Sequence, residues 1–152
     1  MVEERLKELG INLPIPPNPV ASYVPVRQEG NLVFVSGQGP IINGKQLYTG
    51  KVGAECSQED GYEAAKACAI NLLAQLKKHL GSLDRVKSVV ELHGYVACTT
   101  DFYAQPAVIN GASDLMITAF GDAGRHARCA LGTNVLPGNI PVEVELIVSV
   151  KE

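Results

Sequence analysis

From Pro141 to Val150 the chain alternates strictly. Val142, Val144, Leu146, Val148 and Val150 fall on one side, and Glu143, Glu145, Ile147 and Ser149 on the other. A period of two predicts a strand with one covered face and one mixed face. Val86 to Thr99 predicts a second long strand. Val86, Ser88, Val90, Leu92, Gly94, Val96 and Cys98 share the side that suits a helix layer. Lys87, Val89, Glu91, His93, Tyr95, Ala97 and Thr99 share a half-polar side that suits a subunit contact. Tyr23–Val26 and Leu32–Ser36, separated by Gln28-Glu29-Gly30-Asn31, read as a hairpin.

The helical period appears from Ser57 to Leu80, where Ala65, Cys68, Leu72, Leu73, Leu76 and Leu80 recur on one side. Ser57 with Asp60 has the form of a capping box, and Gly81 is a natural stop. Asp101 to Phe120 predicts a second helix, with Pro106 near its start and Asn110-Gly111 as a weak point, since glycine costs about 1 kcal/mol in a helix. Val2 to Leu9 predicts a short helix with Leu6 and Leu9 on one side. A short strand beginning near Arg128 and a turn at Leu136-Pro137-Gly138-Asn139 lead into the final strand, so the chain is expected to close on a hairpin with an arginine on one arm and glutamates on the other.

The main order is β-β-α-β-α-β-β, an α+β fold. Two helices can cover only one face of a four- or five-stranded sheet. The mixed face then needs a partner, and a homo-oligomer with sites between subunits is the economical expectation. Residues 1–152 are read as a single domain, in which 1–20 form the short helix and a proline-rich arm over the body.

Composition narrows the function classes. With 46% hydrophobic and 19% charged residues the chain can bury a core. A net charge of -3, with no basic run longer than Lys77-Lys78, argues against a nucleic-acid partner. No apolar run is long enough to cross a membrane, and the charged start MVEERLKELG is unlike a signal sequence, so the cytoplasm is the expected location. Cys56, Cys68, Cys98 and Cys129 show no ligand spacing, and neither do His79, His93 and His126; the cysteines read as small buried hydrophobes and no metal site is expected.

Arg128, at the mouth of a strand, offers a planar fork for a carboxylate. A glutamate on a neighbouring strand can hold and activate water. Backbone groups around Ser36-Gly37 can complete a small polar pocket. The plainer alternative is that Arg128 pairs with a surface carboxylate.

These residues also form a set. Tyr23 precedes Ser36-Gly37-Gln38, Arg128 stands nine residues before Pro137 of Leu136-Pro137, and Val142-Glu143-Val144-Glu145 follows. With Asn110 on the second helix, the set resembles the RidA/YjgF superfamily of reactive enamine/imine deaminases, also known as L-PSP endoribonucleases. The resemblance runs from Tyr23 to Val150 and implies a chorismate-mutase-like fold, a homotrimer with clefts between subunits, and no metal or organic cofactor. It further implies that Arg128 grips the carboxylate of a 2-imino or 2-enamino acid, that Glu143 orients water, and that Tyr23, Ser36, Gly37 and Asn110 line the pocket. The expected products are a 2-keto acid and ammonia. One departure is Ala130, where the family carries a cysteine two residues after the arginine. Arg125 and His126 either reshape the pocket or offer a second anion contact, or are ordinary exposed junction residues. Two further readings are a non-catalytic trimer that binds small carboxylates, and RNA cleavage, which the acidic composition disfavours.

Overall fold

The computed structural model describes residues 1–152. In chain order it contains α1 (Val2–Glu8), β1 (Val26–Glu29), β2 (Leu32–Gln38), β3 (Ile41–Ile42), β4 (Lys45–Gln46), α2 (Gln58–Leu80), β5 (Val86–Ala97), α3 (Gln105–Phe120), β6 (Ala127–Thr133) and β7 (Val142–Val150). The α+β class holds, with three helices packed on a five-stranded sheet of order β1-β2-β7-β5-β6. Ile41–Ile42 and Lys45–Gln46, on either side of Asn43-Gly44, add a small β3-β4 ribbon.

Local chemistry explains the element ends. Ser57 Oγ accepts from the Asp60 amide and the Asp60 carboxylate accepts from the Ser57 amide, so both bonds of the capping box form. Gly81, at φ +84°, ends α2 in a conformation that L side chains rarely adopt. Pro106 sits in the first turn of α3, where its missing N–H costs nothing. The helix starts at Gln105 rather than at Asp101.

The core is one cluster of 30 buried residues between the helices and one face of the sheet. Val142, Val144, Leu146, Val148 and Val150 all face it, as the alternation predicts. Full burial of a leucine such as Leu72 or Leu76 contributes about 1.5–3 kcal/mol. Gly111 is not the weak point its position suggests. A Cβ there would lie 2.0 Å from the Tyr62 carbonyl oxygen, so its absence lets α3 approach the backbone of α2.

Three expectations need correction. First, β6 and β7 are not a hairpin. β6 pairs in parallel with β5, and β5 lies between β6 and β7. The Leu136–Asn139 turn therefore carries the chain across β5, and α3 is the crossover between the parallel strands, as parallel pairing requires. Second, the alternation of β5 slips twice against β7, between Val86 and Ser88 and between Val89 and Glu91. These irregularities put Val89 in the core and leave Val90 exposed, reversing their expected sides. Third, β1 begins at Val26, so Tyr23 precedes the strand.

The amino-terminal segment is tied to the body. Leu6 is fully buried, while Leu9 is exposed. Arg5 Nη1 donates to the Ala119 carbonyl at 2.8 Å, and Gln75 Nε2 donates to the Pro17 carbonyl at 3.0 Å, which fixes the proline-rich arm over α2. No helix is long and apolar enough to cross a membrane.

Candidate functional site

The site residues fall into two groups. The first gathers around Arg128 on the edge strand β6. Arg128 pairs in register with Leu92, whose side chain is buried, so it starts on the helix side of the sheet and reaches toward α3. Its Nη1 donates to Asn110 Oδ1 at 2.8 Å and to Ser113 Oγ at 3.0 Å, and its Nη2 donates to the Pro106 carbonyl at 3.3 Å. Pro106, Asn110 and Ser113 stand at i, i+4 and i+7, one face of α3. Ser113, buried on that face, carries no motif; only its spacing from Asn110 marks it in the sequence.

All three acceptors are neutral, and no carboxylate lies within ion-pair distance of Arg128. The plainer reading, a surface ion pair, does not hold. Of the five guanidinium hydrogens, Nη1 commits two and Nη2 one. Nε–H and one Nη2–H have no partner within the chain, so two donors remain for a small anion.

The second group centres on Gly37, which meets Glu143 on the sheet face away from the helices and also borders a cleft beside the proline-rich arm. In β2 the pairing to β7 steps from Val35↔Leu146 to Gln38↔Val144, leaving Ser36 and Gly37 in a bulge. Gly37 faces the Glu143 carboxylate so closely that a Cβ would come within 2.6 Å of Oε2. Burial, and then the neighbouring Glu145 charge, raise the Glu143 pKa above the ordinary carboxylate value. Tyr23 and Gly37 line a cleft of about 130 Å³, with Gln38, Gln75 and the arm residues Pro17 and Pro19 among its other walls. Ser36 Oγ donates to the Val24 carbonyl at 2.8 Å, so its hydrogen is engaged and only its oxygen is left to accept. The Tyr23 phenol is partly exposed and has no hydrogen bond within the chain.

One chain does not bring the two groups together. Glu143 lies across β5 from Leu131, three residues along β6 from Arg128. That is roughly 10 Å across the strands and roughly 10 Å along them, and the two side chains leave opposite faces. The expectation of one cleft formed by neighbouring strands fails within the chain, because β5 intervenes.

The face that carries Glu143 also carries a titratable cluster unmarked by any motif. His93 Nδ1 meets Glu145 Oε1 at 3.1 Å, its Nε2 meets Glu91 Oε1, and the Tyr95 hydroxyl donates to Glu145 Oε1 at 2.9 Å. Burial opposes the charged form of His93, but the bonds to Glu91 and Glu145 outweigh it and hold its pKa above the ordinary value. Tyr95 is raised by its bond to Glu145 and then by burial. Leu32, Phe34, Val90 and Leu131 lie exposed on β2, β5 and β6. Of the four cysteines, Cys56, Cys68 and Cys98 are buried as expected. Cys129 is exposed and pairs in register with His93, because alternation turns it away from the Arg128 side.

Comparison with known proteins agrees with this architecture. Residues 3–150 match the family described as "YjgF/chorismate_mutase-like, putative endoribonuclease". The chain is 43% identical to Protein TCP17 of Trypanosoma cruzi over 97% of its own length and 92% of the relative's. It is 27% identical to a 2-iminobutanoate/2-iminopropanoate deaminase of Dermatophagoides farinae, over 93% of this chain and 95% of that protein. The crystal structure of Atu1372 from Agrobacterium tumefaciens superposes with a TM-score of 0.93 at 46% identity, covering 99% of this chain and 92% of that one. The chain therefore belongs to the YjgF (RidA-type) family.

Proposed function

We propose that the protein is a RidA-like deaminase that hydrolyses 2-imino acids, and their enamine tautomers, to 2-keto acids and ammonia. The observation that carries this reading is Arg128, an arginine held by three neutral acceptors with two of its donors unpartnered and no counter-ion. A fixed guanidinium without a counter-ion is a site prepared for a small carboxylate. The 27% identity to an iminobutanoate/iminopropanoate deaminase supports the same choice of reaction.

The chemistry needs a carboxylate anchor and a held water. Water adds to the imine carbon and both of its protons pass to the nitrogen, the first on addition and the second from the new hydroxyl as the C–N bond breaks, so that ammonia leaves a ketone. Glu143 suits the water-holding role, because a carboxylate with a raised pKa is a better base near neutral pH. Arg128 and Glu143 lie too far apart within one chain, so the complete cleft draws on two copies, one supplying Arg128 and Asn110 and its neighbour supplying Glu143, Gly37 and Tyr23. A homotrimer has this heterologous arrangement. The exposed apolar residues among the strands that surround Glu143 support burial of that face between copies.

Ala130, on the Arg128 strand, supports one competing reading. If turnover needs a thiol there, the same cleft binds small carboxylates without hydrolysing them. The test is ammonia release from 2-aminoacrylate generated in situ by a pyridoxal-phosphate lyase. Acceleration that is lost in Arg128→Ala supports deamination. Saturable pyruvate binding without acceleration selects the non-catalytic reading.

A further inference from the structure

Arg128 is held from behind by a chain of hydrogen bonds that ends on the backbone. Nη1 of Arg128 lies 3.0 Å from Ser113 Oγ, Ser113 Oγ lies 2.8 Å from His126 Nε2, and His126 Nδ1 lies 2.6 Å from the Gly124 carbonyl oxygen. The proton positions follow from the chemistry of the ends. A carbonyl oxygen only accepts, so Nδ1 carries the ring proton and Nε2 of the neutral imidazole is an acceptor. Ser113 has a single hydrogen and must give it to Nε2. Its oxygen is then turned to accept from Arg128, which can only donate. Each member has one available role, and the bonds run in one direction from guanidinium to backbone.

We infer that His126 is a positioning residue for Arg128: it takes the Ser113 proton and thereby fixes the hydroxyl as an acceptor that holds the guanidinium with its two unpartnered donors open to the ligand. This inference rests on the carboxylate-binding reading of Arg128 and assigns a further residue to that site. Without the His126 acceptor the Ser113 hydroxyl is free to rotate, and a hydroxyl hydrogen directed at Nη1 opposes the arginine. The geometry around His126 is anchored twice. Gly124 is buried against the last turns of α3, where a Cβ would lie 2.2 Å from the Met116 carbonyl oxygen, and Ser113 is buried within α3 itself. His126 therefore spans the α3–β6 junction that sets where Arg128 leaves its strand.

The test compares pyruvate affinity by calorimetry in the wild type, Ser113→Ala, His126→Phe, His126→Gln and the Ser113→Ala/His126→Phe double variant. Phenylalanine keeps the ring volume and removes the acceptor. Glutamine places an oxygen near the lost Nε2. The single Ser113→Ala and His126→Phe variants are expected to weaken binding about tenfold each, and the double variant no further, because both act through one bond. His126→Gln is expected to recover most of the affinity. Nitrogen-15 spectra at pH 8 supply a readout that needs no ligand. The wild type is expected to show the Nδ1–H tautomer at His126 and slow guanidinium rotation at Arg128, with fast rotation in His126→Phe. If the wild type binds no pyruvate, the carboxylate reading fails and the spectra alone decide the positioning role. An Nε2–H tautomer, Arg128 rotation unchanged in His126→Phe, or multiplicative affinity losses in the double variant would overturn it.

Discussion

Arg128 and Glu143 stand on opposite faces of one sheet with β5 between them. In the proposed deamination each supplies one part. Arg128 has two unpartnered donors and no counter-ion, and Glu143 is a half-buried carboxylate whose pKa is raised. A second copy is the simplest way to join them.

Arg128→Lys keeps the charge and loses the fork. A lysine cannot serve Asn110, Ser113 and Pro106 and also present two free donors. Pyruvate affinity is expected to fall about 10- to 100-fold, in line with the worth of charge-assisted hydrogen bonds. Unfolding in urea should cost about 1–3 kcal/mol, because bonds to Asn110, Ser113 and Pro106 are lost while the core is untouched. Titration calorimetry beside urea denaturation checks both parts, and equal binding by lysine and arginine would contradict the assigned geometry.

Gly37→Ala tests the contact with Glu143. The added Cβ meets Oε2 at 2.6 Å, so the carboxylate must swing away while the surrounding strand stays paired. The expected outcome is a folded protein with pyruvate binding largely retained and ammonia release reduced at least about tenfold, the range of a displaced general base. Steady-state assays with circular dichroism distinguish this from global damage.

Gly111→Ala acts through packing. Its Cβ would press on the backbone of Tyr62, which cannot turn aside as a flexible side chain can. The variant should lose about 3 kcal/mol in chemical denaturation, at the upper end of ordinary overpacking costs. Because Asn110 and Ser113 flank this glycine, pyruvate affinity should fall as well. A stable variant with normal affinity would show that α3 can shift freely.

The pH dependence has two contributors of the same sign. His93 has a raised folded-state pKa, so its stabilising contribution is complete below its unfolded value of about 6.5 and is lost as pH rises through the folded value. Glu143 also has a raised folded-state pKa, so the folded state is favoured below the unfolded value of about 4.3 and loses that advantage as pH rises through the folded one. Glu143→Gln should therefore be more stable than the wild type at pH 7 and catalytically inactive. His93→Gln should flatten the fall in stability between pH 6 and pH 8. Urea titrations at fixed protein concentration measure both, and a wild type that gains stability over that pH range would contradict the assignment to His93.

Much of this architecture is legible in the residues. Strict alternation from Val142 to Val150, the Ser57–Asp60 box and Gly81 are local signals, and the local structure follows them. What was illegible is non-local. Nothing between Thr133 and Val142 says that the chain crosses over β5 instead of turning back on β6. The irregularities that exchange Val89 and Val90 arise from pairing with β7, which a one-strand pattern does not contain. In the site, Arg128, Asn110, Glu143, Gly37 and Tyr23 stand out through family resemblance. Ser113 and His126 carry no motif, and their link to Arg128 exists only once α3 packs beside β6. Gly111 reads as a helix weakness until the α2 backbone appears against it.

Subunit complementation tests the shared cleft most directly. Arg128→Ala and Glu143→Gln, each expected to be inactive alone, are unfolded together in equal amounts and refolded into mixed oligomers. In a ring where each cleft takes Arg128 from one copy and Glu143 from the next, about one quarter of the clefts receive both native residues by chance. The mixture should recover about that fraction of wild-type ammonia release. If the mixture stays as inactive as its parents while mixed oligomers are shown to form, Arg128 and Glu143 do not share a cleft across the interface.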